Sequence, residues 1–403
     1  MKIKESLLLV TLAPLVGLLT IAEASPLVSI GDSVDVFFDG SSSLQWESNV
    51  FNDEDDEQDD MKFTVSPGFE VNVGRGVSSL DLSIITRYDI IRYDDLSDLD
   101  NELFHIKAIS SYKSSRWDVN GLVSFDENQS TNGDGNDNQK GKLTESDNTA
   151  ARLNGEYRFS PKFSVGSGVN YSDREYTSDD ALADRETYSI PVDIFYELTP
   201  KVDLSIGYQY TTSDVGSTTN GNFDVGSYDT EGHFFNVGAR GNLLPKLSGF
   251  FKVGYRMNDS DDSERRIGGL PVGDTDRDSS GTMGLDADFT YLTTPKVTTA
   301  LRLHRGFGIG GEGQSTELTS ADLSASYSIN TNYSASANLG YTFREYTNSD
   351  REDNIYRAGV RLSYVPNQYW RFSTGYRYSE NDSDSKGQSY EAHTLDVSAS
   401  LRY

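Results

Sequence analysis

The 403-residue sequence predicts an all-β fold, a transmembrane up-and-down antiparallel β-barrel of about 18 strands, with 16 as the alternative. Short turns recur before segments in which apolar and polar residues alternate, as at Ser160-Pro161-Lys162, Thr199-Pro200-Lys201 and Leu244-Pro245-Lys246. Alternation gives each strand one apolar and one polar face. Long acidic loops rich in Ser, Asn and Asp separate the hairpins. Strands joined alternately by short turns and long loops are typical of outer-membrane barrels.

The N-terminus predicts export across the inner membrane. Lys2 and Lys4 precede an apolar stretch over residues 7–21, and Ala22-Glu23-Ala24 is a small-x-small cleavage site. The predicted domains are therefore a signal peptide, 1–24, and an outer-membrane β-barrel domain, 25–403; a retained anchor helix is the alternative. The chain has no Cys, which excludes disulfides, thiolate metal sites and a lipoprotein anchor.

The composition agrees with a barrel and excludes helical membrane spans. Mean hydropathy is −0.55, and no stretch of about 18 apolar residues follows the predicted signal peptide. In a barrel only every second residue of a strand faces lipid, so the average composition resembles that of a soluble protein. The 24 Tyr and 19 Phe suit aromatic girdles at the strand ends.

Alternation and turn signals place eighteen strands along the chain. The predicted spans are 32–50, 61–73, 77–91, 102–112, 116–126, 148–159, 163–174, 185–197, 201–213, 231–243, 246–258, 279–292, 296–307, 315–329, 333–346, 353–364, 369–380 and 390–402. An even number puts both termini on the side of the short turns, which we expect to be periplasmic. Residues 38–43 interrupt the first pattern, and this interruption keeps sixteen strands open.

Strand parity assigns charged residues to the polar, lumen-facing side. A charge facing lipid at the midplane costs about 2–4 kcal/mol, so consistent segregation is physically meaningful. The lumen-lining candidates are Arg152, Arg158, Arg240, Lys252, Arg256, Arg302, Arg344, Arg357, Arg361, Arg371, Arg377, Asp193, Asp286 and Asp288. Two interpretations remain open, because these side chains can brace the wall by salt bridges and can also set the electrostatics of a pore.

The net charge of −28 excludes nucleic acid as a partner and favours cations. Much of the acid lies in loops over 52–60, 94–102, 259–264, 274–278 and 380–384. These loops are solvated surface in one interpretation, and in another they bind divalent cations that bridge to lipopolysaccharide. Other expected partners are outer-membrane lipid, a polysaccharide, and the barrel assembly machinery, which would recognise the last strand ending at Tyr403.

The sequence does not predict an enzyme, a cofactor or a metal site. Its four His, at 105, 233, 304 and 393, have no nucleophile motif beside them. The segment 134–145 has calcium-loop spacing, but Gln139 replaces the Gly that such a loop needs, so we interpret it as a solvated loop. The segment 306–313 is Gly-rich without the ending of a phosphate loop, and it predicts a flexible outer loop.

Two N-terminal motifs carry a resemblance to a known family. The sequence Glu47-Ser48-Asn49-Val50-Phe51 and, after an acidic loop, the strand over 65–74 that begins Val65-Ser66-Pro67-Gly68 resemble the start of the putative β-barrel porin 2 family. The later Ser/Thr-Pro-Lys hairpins extend the resemblance over nearly the whole mature chain. The resemblance implies an outer-membrane barrel, sometimes associated with exopolysaccharide secretion, and no catalytic residue.

The functional expectation is a porin-like passive conduit for small solutes, or the barrel component of an exopolysaccharide export system. The alternative is a closed structural or adhesive surface barrel without transport. A soluble extracellular β-protein would lack a continuous apolar outer band, which the strand parity supports. Acidic loops at the mouth predict weak cation preference, while the many lumen Arg oppose it.

A closed barrel predicts a measurable property of the folded protein. Because all its backbone hydrogen bonds are internal, the barrel should resist detergent until it is heated. We expect different mobilities of boiled and unboiled samples in gel electrophoresis, with the protein in the outer-membrane fraction. Recovery from the soluble periplasm without a heat-dependent shift would contradict the barrel.

Overall fold

A computed structural model describes residues 25–74, 78–131, 143–177, 181–275, 277, 279–347 and 349–403. The predicted signal peptide and residues 134–138 of the calcium-like segment lie outside the described residues. In the part of the chain that is described, no helix is long and apolar enough to cross a membrane. A single turn of 3-10 helix occurs at Ser97–Leu99.

The described residues contain 23 strands. In chain order they are β1 (Val28–Ile30), β2 (Val34–Glu47), β3 (Asp60–Val73), β4 (Leu80–Tyr93), β5 (Asn101–Lys113), β6 (Trp117–Ser130), β7 (Thr144–Arg158), β8 (Phe163–Tyr176), β9 (Arg185–Thr199), β10 (Val202–Val215), β11 (Thr218–Asn220), β12 (Phe223–Val225), β13 (Tyr228–Leu244), β14 (Leu247–Ser260), β15 (Ser263–Ile267), β16 (Leu270–Thr275), β17 (Ser280–Thr294), β18 (Val297–Ile309), β19 (Ser315–Ser328), β20 (Tyr333–Tyr346), β21 (Glu352–Tyr364), β22 (Trp370–Ser383) and β23 (Tyr390–Arg402).

Eighteen of these strands form one closed antiparallel barrel, which confirms the predicted fold class. Each pairs with its neighbours along the chain, and β2 closes the ring by pairing with β23. Beyond that ladder, Phe38 and Tyr403 exchange backbone hydrogen bonds in both directions, at 2.6 and 2.9 Å. The strands β1, β11, β12, β15 and β16 lie outside the ring.

The alternative of sixteen strands is wrong, because β2 runs without interruption through residues 38–43. Pairing with β3 continues on one side throughout, and pairing with β23 begins at Asp39 on the other. Gly40 is tolerated here because the Phe38 ring covers it. A Cβ at Gly40 would lie 2.9 Å from Cε1 of Phe38. The ring thus supplies the apolar surface that the glycine lacks.

The outer face is an apolar band bordered by aromatic side chains. Ile206, Leu339 and Val397 are 70%, 59% and 61% exposed on this face. At the short-turn end, rings on neighbouring strands stack in pairs, Trp117 with Tyr157 at 4.6 Å and Tyr333 with Tyr364 at 4.6 Å. Aromatic rings at this level suit a membrane–water interface.

Part of the predicted acidic loop structure is wrong. The long connections after β10 and β14 contain β11, β12, β15 and β16, which form a separate four-stranded sheet. The acidic segments 259–264 and 274–278 therefore lie partly in strands. These strands are only three to six residues long and lack sustained alternation, so the sequence pattern did not reveal them.

The closure seam gives a test of barrel assembly. Deleting residues 401–403 removes the backbone partners of Phe38 and Gly40 and leaves two sheet edges unpaired in lipid. We expect loss of the heat-dependent gel shift and of membrane insertion. Insertion of the truncated chain with a normal shift would show that this seam is dispensable.

Candidate functional site: the inner wall of the barrel

Ion pairs between strands that are not neighbours identify the concave, lumen-facing side of the sheet. Arg240 on β13 donates from Nη1 and Nη2 to Glu156 on β7, each at 2.8 Å, across β8, β9 and β10. Lys252 on β14 donates to both carboxylate oxygens of Asp193 on β9 at 2.8 Å, across β10 and β13. Side chains that leave separated strands and still meet must lie inside the curve of the wall.

The ion pairs continue around the wall toward β18. Arg256 contacts Asp286 at 2.5 Å, and the same carboxylate lies 2.7 Å from Nδ1 of His304. Next to it, Arg302 pairs with Asp288 at 3.0 Å. These groups are partly withdrawn from water, which strengthens a paired charge and penalises an unpaired one.

Aromatic rings fill the same sector. The guanidinium of Arg240 lies 3.4 Å from the centroid of Phe195, and that of Arg256 lies 3.8 Å from the centroid of Phe234. Both rings are buried, at 6% and 2% exposure. The inner wall from β7 to β18 is therefore braced by cation–π contacts and ion pairs together.

Glycines on the inner face provide the paths for these long side chains. Gly375 on β22 lies between Arg361 and Asp396, which pair at 2.7 Å over it. A Cβ there would be 2.7 Å from Asp396 Oδ1 and 3.0 Å from Arg361 Nη2. At Gly238 a Cβ would be 3.2 Å from Cγ of Lys252, which passes toward Asp193.

The structure separates the predicted lumen residues into two groups. Strand register places all fourteen on the same face as the pairs described above. Those in ion pairs are Arg240, Lys252, Arg256, Arg302, Arg361, Asp193, Asp286 and Asp288. Within the described ranges, no ion pair is made by Arg152, Arg158, Arg344, Arg357, Arg371 or Arg377; Arg344 donates to the Tyr346 hydroxyl at 3.3 Å. Bracing thus accounts for only some of the predicted arginines.

A loop at the long-loop end packs against the opposite strands, so the predicted flexible outer loop over 306–313 is wrong. Residues 306–309 belong to β18, and the turn that follows reaches across to β9 and β13. Arg185 donates to the Ile309 carbonyl at 2.9 Å, and the Tyr228 hydroxyl donates to the Gly313 carbonyl at 2.6 Å. Gly313 adopts a φ of 77°, which favours glycine.

This loop covers a small buried cluster of Ala183, Val215 and Tyr228, with Ile309 packed against it. Arg277 stacks on Tyr228 at 3.5 Å, and burial lowers the pKa of its guanidinium while nearby Tyr228 and Asp262 oppose this shift. The loop glycines allow the close packing, a contact between distant strands that local composition could not indicate.

The motif at residues 47–51 forms a second fixed structure at this end. Asn49 is fully buried, and its amide donates to the carbonyls of Asp53 and Glu391 at 2.7 and 3.1 Å. The hydroxyl of Thr131 donates to the carbonyl of Val50. The turn after β2 is thus tied to β23 and to the end of β6. The buried Asn gives a structural role to a residue that the sequence marked only as a family resemblance.

The histidines lie in separate positions on the wall. His105 lies between Asp89 and Asp126, at 3.3 and 3.0 Å, and His304 contacts Asp286. His233 and His393 each contact a Tyr hydroxyl, of Tyr208 and Tyr376. Sequence parity did not anticipate the Asp89–His105–Asp126 chain, because it depends on register across three strands.

This closed 18-strand barrel with a polar, charged inner wall defines an outer-membrane barrel of the porin type. The chain belongs to the family described as putative beta-barrel porin 2, whose model matches residues 40–403. The resemblance seen in the sequence is therefore confirmed. No curated protein matches the sequence.

Solved structures of bacterial outer-membrane barrels are similar in fold. The ferric-catecholate import receptor Fiu from E. coli K12, in its open form, is 9% identical with a TM-score of 0.50, covering 94% of this chain and 82% of that chain. A mutant ferric enterobactin receptor from Pseudomonas aeruginosa is 9% identical, with a TM-score of 0.46 and coverage of 91% and 80%. The outer membrane protein opdK from Pseudomonas aeruginosa is 10% identical, with 0.42, 92% and 99%. At these identities the likeness concerns fold alone.

The Arg240–Glu156 pair predicts a specific cost in stability. Arg240→Gln leaves a partly buried carboxylate without its main partner, so we expect the free energy of unfolding to fall by about 3 kcal/mol. Denaturant unfolding in detergent micelles, followed by Trp fluorescence, measures it. Arg371→Gln is the matched control, since Arg371 makes no ion pair, and should change stability by about 0.5 kcal/mol or less.

A double variant, Glu156→Gln with Arg240→Gln, should recover part of the loss because no charge is then left unpaired. Equal stabilities of the Arg240 and Arg371 variants would contradict a bracing role.

Proposed function

We propose that this barrel is a porin-like passive conduit for small solutes across the outer membrane. The observation that carries the proposal is the exposure of Arg357 and Arg377, which lie on the inner face near the middle of β21 and β22. Charged side chains exposed at that depth need water around them. Barrels of 16–18 strands are wide enough to enclose an aqueous channel.

The distribution of packing supports a passage on one side of the lumen. The wall from β7 to β18 is filled by the paired charges and by Phe195 and Phe234, whereas β21 and β22 carry exposed arginines. A solute would therefore pass along the β20–β22 side. The fixed loops after β2 and β18 would narrow the entrance without moving during passage.

The export of exopolysaccharide is a finer proposal, supported by the family alone. A closed structural or adhesive barrel is the second candidate, and the inward packing of the loop after β18 favours it. In all these proposals the protein is not an enzyme and binds no nucleic acid. It is delivered by the signal peptide over 1–24 to the outer membrane of a Gram-negative cell, with lipid, lipopolysaccharide and the assembly machinery as partners.

Divalent cations at the outer loops are a further proposed partner. Among the described residues, no group of three or more His, Asp or Glu has the arrangement of a metal site. The proposal therefore concerns diffuse attraction by acidic loops, which would concentrate cations at the mouth without a fixed coordination geometry.

Planar-bilayer recordings test the conduit. Because the acidic excess lies largely at the mouth, we expect ion conductance with weak cation selectivity that fades as salt approaches about 1 M, where the screening length is about 3 Å. Reversal potentials across a salt gradient measure it. Anion selectivity would show that the arginines of the wall dominate, and absence of conductance would favour the closed barrel.

A further inference from the structure

Three arginines surround one glycine in the middle of the inner wall. Arg377 on β22 lies opposite Gly359 on β21, and Arg357 and Arg361 lie two residues to either side of that glycine. Diagonal neighbours of this kind have Cβ atoms about 7–8 Å apart, within reach of long side chains. Gly359 is buried and contributes no side chain, so the three guanidinium groups border a shallow depression.

Only one of the three arginines has an anionic partner. Arg361 donates to Asp396 at 2.7 Å and to the Ser373 hydroxyl at 3.3 Å. Arg357 and Arg377 form no ion pair or side-chain hydrogen bond within the described part of the chain, and both are exposed.

The nearest acidic groups leave this charge uncompensated. Asp322 lies across Gly340 from Arg357, and Glu47 interacts with Arg377 only at longer range, beyond β23. Neither carboxylate forms an ion pair with either arginine.

This arrangement differs from the rest of the wall. Arg240, Arg256 and Arg302 each have a carboxylate in contact, so the fold supplies partners to inward arginines elsewhere. Clustered like charges without a partner are destabilising, and that cost is relieved when an anion binds between them. A guanidinium presents its donors in a planar fork that matches carboxylate geometry.

We infer that Arg357 and Arg377 form a lumen subsite that binds the carboxylate of an anionic solute during its passage. The inference rests on the proposed conduit, because a solute reaches the subsite only through an open lumen. It refines that proposal: cation enrichment at the acidic mouth sets the weak bulk selectivity, while the two arginines retain carboxylate-bearing solutes locally. Arg361 is a positioning residue, held by Asp396 beside the subsite.

The test compares D-glucuronate with D-glucose, which are similar in size and differ in the carboxylate. Binding is followed by saturation-transfer NMR titration of the full barrel in detergent micelles, which does not depend on conduction. We expect saturable binding of glucuronate and none of glucose. Arg357→Gln and Arg377→Gln should each weaken glucuronate binding by about tenfold, the usual loss for one charge-assisted hydrogen bond.

Arg371→Gln is the matched control. It removes the same charge from the same strand, about 20 Å away along β22, and leaves no carboxylate unpaired. We expect its glucuronate affinity to stay within twofold of the unmodified barrel. Heat-dependent gel mobility of every variant verifies that the barrel is folded.

Bilayer recordings of the same samples separate the two proposals. Conductance without glucuronate binding, or with equal losses in all three variants, would overturn the subsite and leave the conduit. Binding that depends on Arg357 and Arg377 without conductance would support the subsite and overturn the conduit. Absence of both would overturn both.

Discussion

The structure depends on one constraint: every backbone donor and acceptor within the membrane must find its partner inside the protein. The pairing of β2 with β23 meets this constraint by removing the last two sheet edges. From closure follow the even number of strands, the common side of the two termini, and the alternation of lipid-facing and lumen-facing residues. The exchange of hydrogen bonds between Phe38 and Tyr403 is where the first and last residues of the ring complete it.

Curvature then gives the inner wall its own chemistry. On a flat sheet Arg240 and Glu156 would stand several strands apart, whereas the closed wall brings them into contact. Glycines such as Gly375 and Gly238 leave space for these crossings at positions where any side chain would block them. The wall is therefore held by backbone ladders along its circumference and by charged chords within it.

The two interpretations of the lumen charges apply to different sectors. From β7 to β18, inward charges are paired and partly buried, which is bracing. On β21 and β22 they are exposed and, at Arg357 and Arg377, without a carboxylate in contact, which is the arrangement expected of a surface that meets solutes. Loops fixed by Asn49 and Tyr228 shape the entrance above both sectors.

The sequence by itself determined the barrel, its strand number and nearly all strand positions, because period-two alternation and Pro-containing turns are local signals; 333–346 and 390–402 match β20 and β23 to the residue. It also placed charges by parity. Only the tertiary structure decided which of those charges meet, because Arg240 and Glu156 are joined by ring closure and not by proximity along the chain. For the same reason, neither the burial of Asn49 nor the packing of residues 310–313 onto β9 and β13 could be predicted: both are contacts between strands that become neighbours in space only when the sheet closes.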